Sequence, residues 1–313
     1  MRPKNTRAGV AAGVIGIATT CVAAPALAQS ESPSTTPSLR VSDRTLTIGK
    51  SARFSGAVDP AYAGRAVALE FRRTRGTTWT VLATDTVGRE GRYRIRRSVP
   101  RSGAVRVVLQ PQPGTATAAS APSAERRIRV AAAVRVRHRR LHVRAGRRTA
   151  VAGIVRPGSA GVPVRLQVRG RRGWATIDRD RTNRRGRYVL RERLRSTRST
   201  RARVVVAGHD GLARARRGVG RLNVYRYAHA SWYGPGLYGN RLGCGGTLHP
   251  GTLGVAHKTL PCGTKVTFRH RGRTIRVRVI DRGPYVGGRE YDLTQATANR
   301  LGFRGHGPVL VTR

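Results

Sequence analysis

The sequence predicts an all-β chain, with two tandem copies of one β-sandwich followed by a distinct β-rich unit at the C-terminus. Three observations carry this. Short apolar–polar alternations, punctuated by Gly and Pro, fill residues 38–225 with no helical period. One set of residue markers occurs twice within that span. Past Arg226 the composition shifts: Gly and aromatic residues rise and acidic residues nearly vanish.

Residues 1–28 read as a secretory leader. Arg2, Lys4 and Arg7 form a basic start, Ala8 to Val22 is uncharged and apolar, and Ala26-Leu27-Ala28 is a small-x-small cleavage site. The apolar run falls short of the roughly 20 residues a membrane span needs, so no stable insertion is expected after cleavage. Cys21 is not expected to carry a lipid, because Thr19-Thr20 lacks the small residue that usually precedes a lipidated cysteine. The expected location is outside the cell, at the wall. Residues 29–37, rich in Ser, Thr and Pro, read as a linker.

Residues 38–130 and 131–225 are the two copies. Gly64-x-x-Val67-x-Leu69 is matched by Gly161-x-x-Val164-x-Leu166, and Gly56 by Gly153. Trp79 with Gly91-Arg92-Tyr93 is matched by Trp174 with Gly186-Arg187-Tyr188. These repeats resemble the immunoglobulin-like domains of exported bacterial proteins. Their Trp and Tyr side chains are expected to fill the space between the sheets, with a sugar-stacking platform as the alternative. No catalytic constellation is apparent in either copy.

The formal charge of +48 rests on 62 Lys and Arg against 14 Asp and Glu, and only four of the cations are lysines. Attraction of this Arg-rich surface to anionic wall polymers is one reading, and compositional bias on solvated strands is the other. Nucleic acid is not an expected partner, given the leader and the scarcity of aromatic residues. Leader removal leaves Cys244 and Cys262, which permit one disulfide in an oxidising compartment. No metal site or cofactor is expected, because the histidines are scattered and two sulfurs are too few ligands.

In the C-terminal unit, residues 228–313, Val266–Phe268, Thr274–Ile280 and Pro308–Val311 alternate as strands, with Arg271-Gly272 as a turn. Asp292-Leu293-Thr294-Gln295 reads as a helix start capped by Asp292, and Gly302 as its end. The only carboxylates in this unit are Asp281, Glu290 and Asp292. That scarcity bears on chemistry: ordinary glycoside hydrolysis needs two carboxyls roughly 5–9.5 Å apart. Lytic transglycosylation needs one acid, because the sugar's own hydroxyl is the nucleophile.

Four motifs in order carry a resemblance: Ala230-Ser231-Trp232-Tyr233-Gly234, Ala256-His257-Lys258-Thr259-Leu260-Pro261, Asp281-Arg282-Gly283-Pro284 and Asp292-Leu293-Thr294. The unit resembles the RlpA-like family, whose fold is related to that of the expansins. The resemblance implies a six-stranded double-psi β-barrel with a groove for peptidoglycan glycan strands, some members being lytic transglycosylases. It implies Asp281 as general acid and His257 beside it, holding a sugar or the carboxyl. Tyr233, Trp232 and Tyr285 are expected to stack on sugar, and Asp292 either to bind substrate or to cap the helix. Gly246 stands where active family members carry a glutamate. The alternative expectation is therefore an expansin-like module that binds or loosens the wall without turnover.

Overall fold

A computed structural model describes residues 34–111 and 120–313. The leader expected at residues 1–28 and the first residues of the linker lie outside the described residues. No helix among the described residues is long and apolar enough to cross a membrane.

The strands follow the alternation that predicts them. The first repeat holds β1 (Arg40–Val41), β2 (Thr45–Thr47), β3 (Ser51–Ala57), β4 (Ala66–Arg73), β5 (Thr80–Thr86), β6 (Arg92–Ser98), β7 (Gly103–Leu109) and β8 (Arg126–Ala131). They form two sheets, in the orders β1-β3-β6 and β2-β8-β7-β4-β5. The second repeat holds β9 (Ala133–Arg140), β10 (His142–Arg144), β11 (Arg148–Arg156), β12 (Pro163–Gly170), β13 (Gly173–Arg181), β14 (Arg187–Arg193), β15 (Arg198–Val206) and the start of β16 (Ala215–Tyr233). Its sheets run β14-β11-β9 and β13-β12-β15-β16, with β10 also on β16.

The doubled markers have a steric cause. A Cβ on Gly56 would lie 2.6 Å from the Tyr93 hydroxyl, and one on Gly153 2.5 Å from that of Tyr188. Each tyrosine lies over the glycine paired with it on the neighbouring strand, and both are core residues, 4% and 2% exposed. The tryptophans are different. Trp79 and Trp174 are only half-buried and lie on outer sheet faces, stacked against arginines rather than between the sheets. The expectation that they fill the core is corrected: a guanidinium over an indole offers a cation–π contact that needs no burial.

β16 passes the expected boundary at residues 225–228 without a break. Its first part pairs with β15 as far as Val224, and Arg226 already pairs with Val311 in the barrel. The barrel is completed by β17 (Val255–Ala256), β18 (Lys265–His270), β19 (Arg273–Asp281), β20 (Tyr291–Thr294) and β21 (Gly307–Val311). Phe268, Val279, Leu293, Leu301 and Val311 fill its core at 0% exposure. Each such side chain stabilises the fold by about 1.5–3 kcal/mol. Arg271 and Gly272, both at positive φ, make the tight β18–β19 turn.

One helix, α1 (Gln295–Leu301), packs on the barrel and ends at Gly302 with φ 66°. Its N-cap is Thr294, whose side chain accepts from the Thr297 N–H. The helix-cap alternative for Asp292 is therefore corrected. Pairing of β20 with β16 and β17 keeps residues 291–294 extended, and the cap moves two residues on.

Candidate active site

Four adjacent strands bring together residues far apart in sequence. Ser231 of β16 lies opposite Asp292 of β20, Asp292 opposite Ala256 of β17, and Ala256 opposite Asp281 of β19. Residues in one such row face the same side of the sheet. Asp281 and Asp292 therefore share a face with Ala256 between them, their backbones roughly 9.6 Å apart from two strand spacings. A bulge makes this possible. Val255 pairs with Val279 while Ala256 pairs with Asp281, so Ile280 is passed over. Without that extra residue Asp281 would point to the other face.

Asp281 is gripped by backbone. Its Oδ1 accepts from the Gly243 N–H at 2.7 Å and the Arg282 N–H at 2.8 Å. Only glycine allows the first contact, since a Cβ on residue 243 would lie 2.9 Å from the Arg282 side chain and 3.1 Å from Asp281 Oδ1. The Arg282 guanidinium turns away. It donates to the carbonyls of His257 (3.2 Å) and Leu260 (3.0 Å) and reaches Cys262 Sγ. The neighbour in sequence thus ties down the His257–Cys262 loop and makes no ion pair with Asp281.

Asp292 Oδ1 accepts from Ser231 Oγ at 2.8 Å. Burial raises its pKa, and the Asp281 charge pushes the same way; the Ser231 hydrogen bond and Arg289 oppose both. The Tyr233 hydroxyl is buried beside the Asp281 carboxyl. Burial holds it far above the ordinary phenol range, followed by its nearness to Asp281 and the charge of Asp292. Of the two carboxyls Asp281 acts on the hydroxyl most, through its charge and a hydrogen bond, and Asp292 through its charge alone.

His257 is held differently from expectation. Its Nδ1 accepts from the N–H groups of Thr259 (3.1 Å) and Leu260 (3.0 Å), which leaves the ring proton on Nε2 in the neutral form. Nε2 is 3.9 Å from Glu290 Oε1, and the ring tilts against Tyr291 at 4.8 Å. Burial lowers its pKa below the ordinary 6.5, against the pull of Glu290. Glu290 in turn holds Arg226 through both oxygens. No hydrogen bond joins His257 to the Asp281 carboxyl; the link between them is the His257 N–H on the Asp281 carbonyl, at 3.2 Å.

Residues 227–312 match the family model described as lytic transglycolase. A probable endolytic peptidoglycan transglycosylase RlpA from Synechocystis is 45% identical over 80 residues, 25% of this chain and 25% of that one. The RlpA of Campylobacter jejuni is 46% identical over 74 residues, 23% of this chain and 27% of the relative. The probable RlpA of Aquifex aeolicus is 39% identical over 88 residues, 28% and 39% of the two chains. The C-terminal domain is RlpA-like. The shared segment spans only about a quarter to two fifths of these relatives, and the sandwich repeats lie outside the residues that the family model matches.

In the RlpA-like domain, the segment around Gly246 is tied down at two points. Cys244 and Cys262 are joined in a disulfide, Cα atoms 5.6 Å apart. The Cys244 N–H donates to the Ile280 carbonyl at 3.2 Å, docking this loop on the end of β19. Gly245 and Gly246 both have positive φ, and a Cβ at 246 would meet open space. A backbone loop lies beside Asp281 here, and no acidic side chain comes from it.

The aromatic residues divide. Trp232 is 37% exposed and Tyr285 81% exposed, with Leu237 and Val286 also open. Strand alternation puts Trp232 on the opposite face from Ser231 and Tyr233, so it does not share the carboxylate row. Gly243, Ser231, Glu290 and Arg226 were not singled out by the sequence. Glu290 carried one signal, being one of three acids in the domain; the others depend on contacts 38 to 64 residues apart. Among the described residues, no three His, Cys, Asp or Glu side chains converge as a metal site.

Proposed function

We propose that the RlpA-like domain binds peptidoglycan glycan strands and cleaves them as a lytic transglycosylase, with Asp281 as general acid. One observation supports this most: Asp281 and Asp292 share a face in a chain of net charge +48, and neither is ion-paired among the described residues. Cations abound, yet the fold leaves both carboxyls to neutral donors, and burial raises the pKa of Asp292 beside Asp281.

In this reading Asp281 gives a proton to the glycosidic oxygen. The C1–O bond breaks, the C6 hydroxyl of the same sugar closes on C1, and its proton returns to Asp281. The product is a 1,6-anhydro sugar, and no water is consumed. Asp292 holds substrate hydroxyls, Tyr285 lends an exposed ring to a sugar face, and His257 braces the loop beside Asp281. The substrate places the protein outside the cytoplasm, at the cell wall.

Gly246 favours a second reading. With no glutamate from that loop, the domain binds or loosens wall glycan without turnover. Digestion separates the two. Mature protein is incubated with peptide-free glycan strands, and soluble products are read by mass spectrometry beside Asp281→Asn. Anhydro-muramyl products from wild type alone support the enzyme. Retained pelleting on the same strands with no product supports the binding module.

A further inference from the structure

The two sandwich repeats carry the same outer-face arrangement, a tryptophan between two arginines. In the first, Arg106 lies 4.2 Å and Arg72 4.9 Å from the Trp79 ring centre. In the second, Arg203 lies 4.0 Å and Arg169 6.0 Å from that of Trp174. The register is the same as well: Glu70 pairs with Arg106 across β4–β7, and Gln167 with Arg203 across β12–β15.

The acids differ. In the first repeat Arg106 is neutralised by Glu70 at 2.7 Å, and Arg72 by Glu125 at 2.9 Å. In the second, Gln167 occupies the Glu70 position and gives Arg203 only a neutral acceptor at 2.9 Å. Arg169 makes no ion pair among the described residues. The acids of β13 are turned elsewhere: Asp178 and Asp180 accept from the backbone N–H groups of Arg191 and Val189. Burial and then the charges of Arg216, Arg169 and Arg214 make the protonated form of Arg203 harder to hold. Arg214 and Arg216 also line a cleft of about 1100 Å³ between the repeats, together with Lys50, Arg129 and Arg135 and no acidic side chain.

We propose that this face of the second repeat, from Arg169, Trp174 and Arg203 towards Arg214 and Arg216, binds a phosphodiester-linked polyol polymer. Guanidinium forks suit phosphate oxygens, and cations spread from the platform to the cleft suit a chain of phosphates better than a single anion. A nucleic acid fits less well, because Arg203 covers the indole face on which a base would stack. The first repeat, with its arginines paired, does not bind.

The experiment exchanges one of the two acids by which the platforms differ. Binding of the full mature chain to fluorescent poly(glycerol phosphate) is titrated at two salt concentrations. Oligothymidylate of equal phosphate number serves as the competing anion. Gln167→Glu supplies the carboxylate that the first repeat already accommodates. It is expected to weaken binding about fivefold and to lower the salt slope by about 1. Glu70→Gln is expected to tighten binding, a gain that a folding defect cannot imitate. Wild-type affinity in both variants would overturn the site. Equal affinity for oligothymidylate would overturn the polyol assignment.

Discussion

Two carboxylate neighbourhoods of the barrel lie close together and are built on opposite principles. Glu290 is clasped by the Arg226 guanidinium and approached by His257, so its charge is answered. Asp281 and Asp292 are held by backbone N–H groups and a serine hydroxyl, so their positions are fixed while their charge is not answered by an ion pair. In a chain with 62 basic residues and 14 acidic ones, the second arrangement needs the fold to turn cations away. Arg282 shows how this is done. Adjacent in sequence to Asp281, it spends its guanidinium on two carbonyls and a sulfur. Ion pairing builds the barrel wall, and its avoidance builds the site.

The largest expected effect breaks the second neighbourhood. Asp281→Asn keeps size and shape, and is expected to lower the release of anhydro products about 10²–10⁴-fold, the usual weight of a general acid. Pelleting on glycan strands should persist. Loss of pelleting as well would show that the side chain serves binding alone.

Next come changes to what positions Asp281. Cys262→Ala opens a bridge between residues 18 apart, and is expected to cost about 3 kcal/mol, read as lost hydrogen-exchange protection in the barrel strands. Gly243→Ala forces a Cβ to within 2.9 Å of Arg282, and is expected to cost about 1–3 kcal/mol and to lower activity with it. An alanine variant with wild-type turnover would mean that the Gly243 contact does not position Asp281. Glu290→Gln, in a pair more than a third exposed, is expected to cost at most about 1 kcal/mol by denaturant titration.

The smallest effects are in the pH dependence, and the two neighbourhoods should differ in sign. The Asp292 pKa is raised in the fold, so its contribution is fully present below the ordinary aspartate range and is lost as pH rises through the raised value. The His257 pKa is lowered, so its contribution is present above 6.5 and is lost as pH falls through the folded value. Asp292→Asn should flatten the first slope and His257→Asn the second, with melting temperature against pH as the readout. A shared response of both variants would show that the two groups titrate as one cluster.

Much of the fold was legible in the sequence because its causes are local. Alternation announces the strands, Arg271-Gly272 the turn, and the doubled Gly and Tyr markers the repeated sandwich. The tryptophans were misread because alternation separates two faces without saying which is the core. The cap alternative for Asp292 fails because Asp-x-x-Gln imitates a cap, and only strand pairing with β16 and β17 overrides it. The Asp281–Asp292 row could not be read at all. It depends on one bulge at Ile280 and on a two-residue strand placed between the carboxylates. His257 was recognisable by motif, but its commitment to the Thr259 and Leu260 N–H groups is a matter of loop geometry.

The most direct test compares the two neighbourhoods in one assay: release of anhydro-muramyl products from peptide-free strands by wild type, Asp292→Asn and Glu290→Gln. A catalytic pair that owes its function to unanswered charge predicts severe loss in Asp292→Asn and near wild-type release in Glu290→Gln. Equal loss in both, or none in Asp292→Asn, would contradict it.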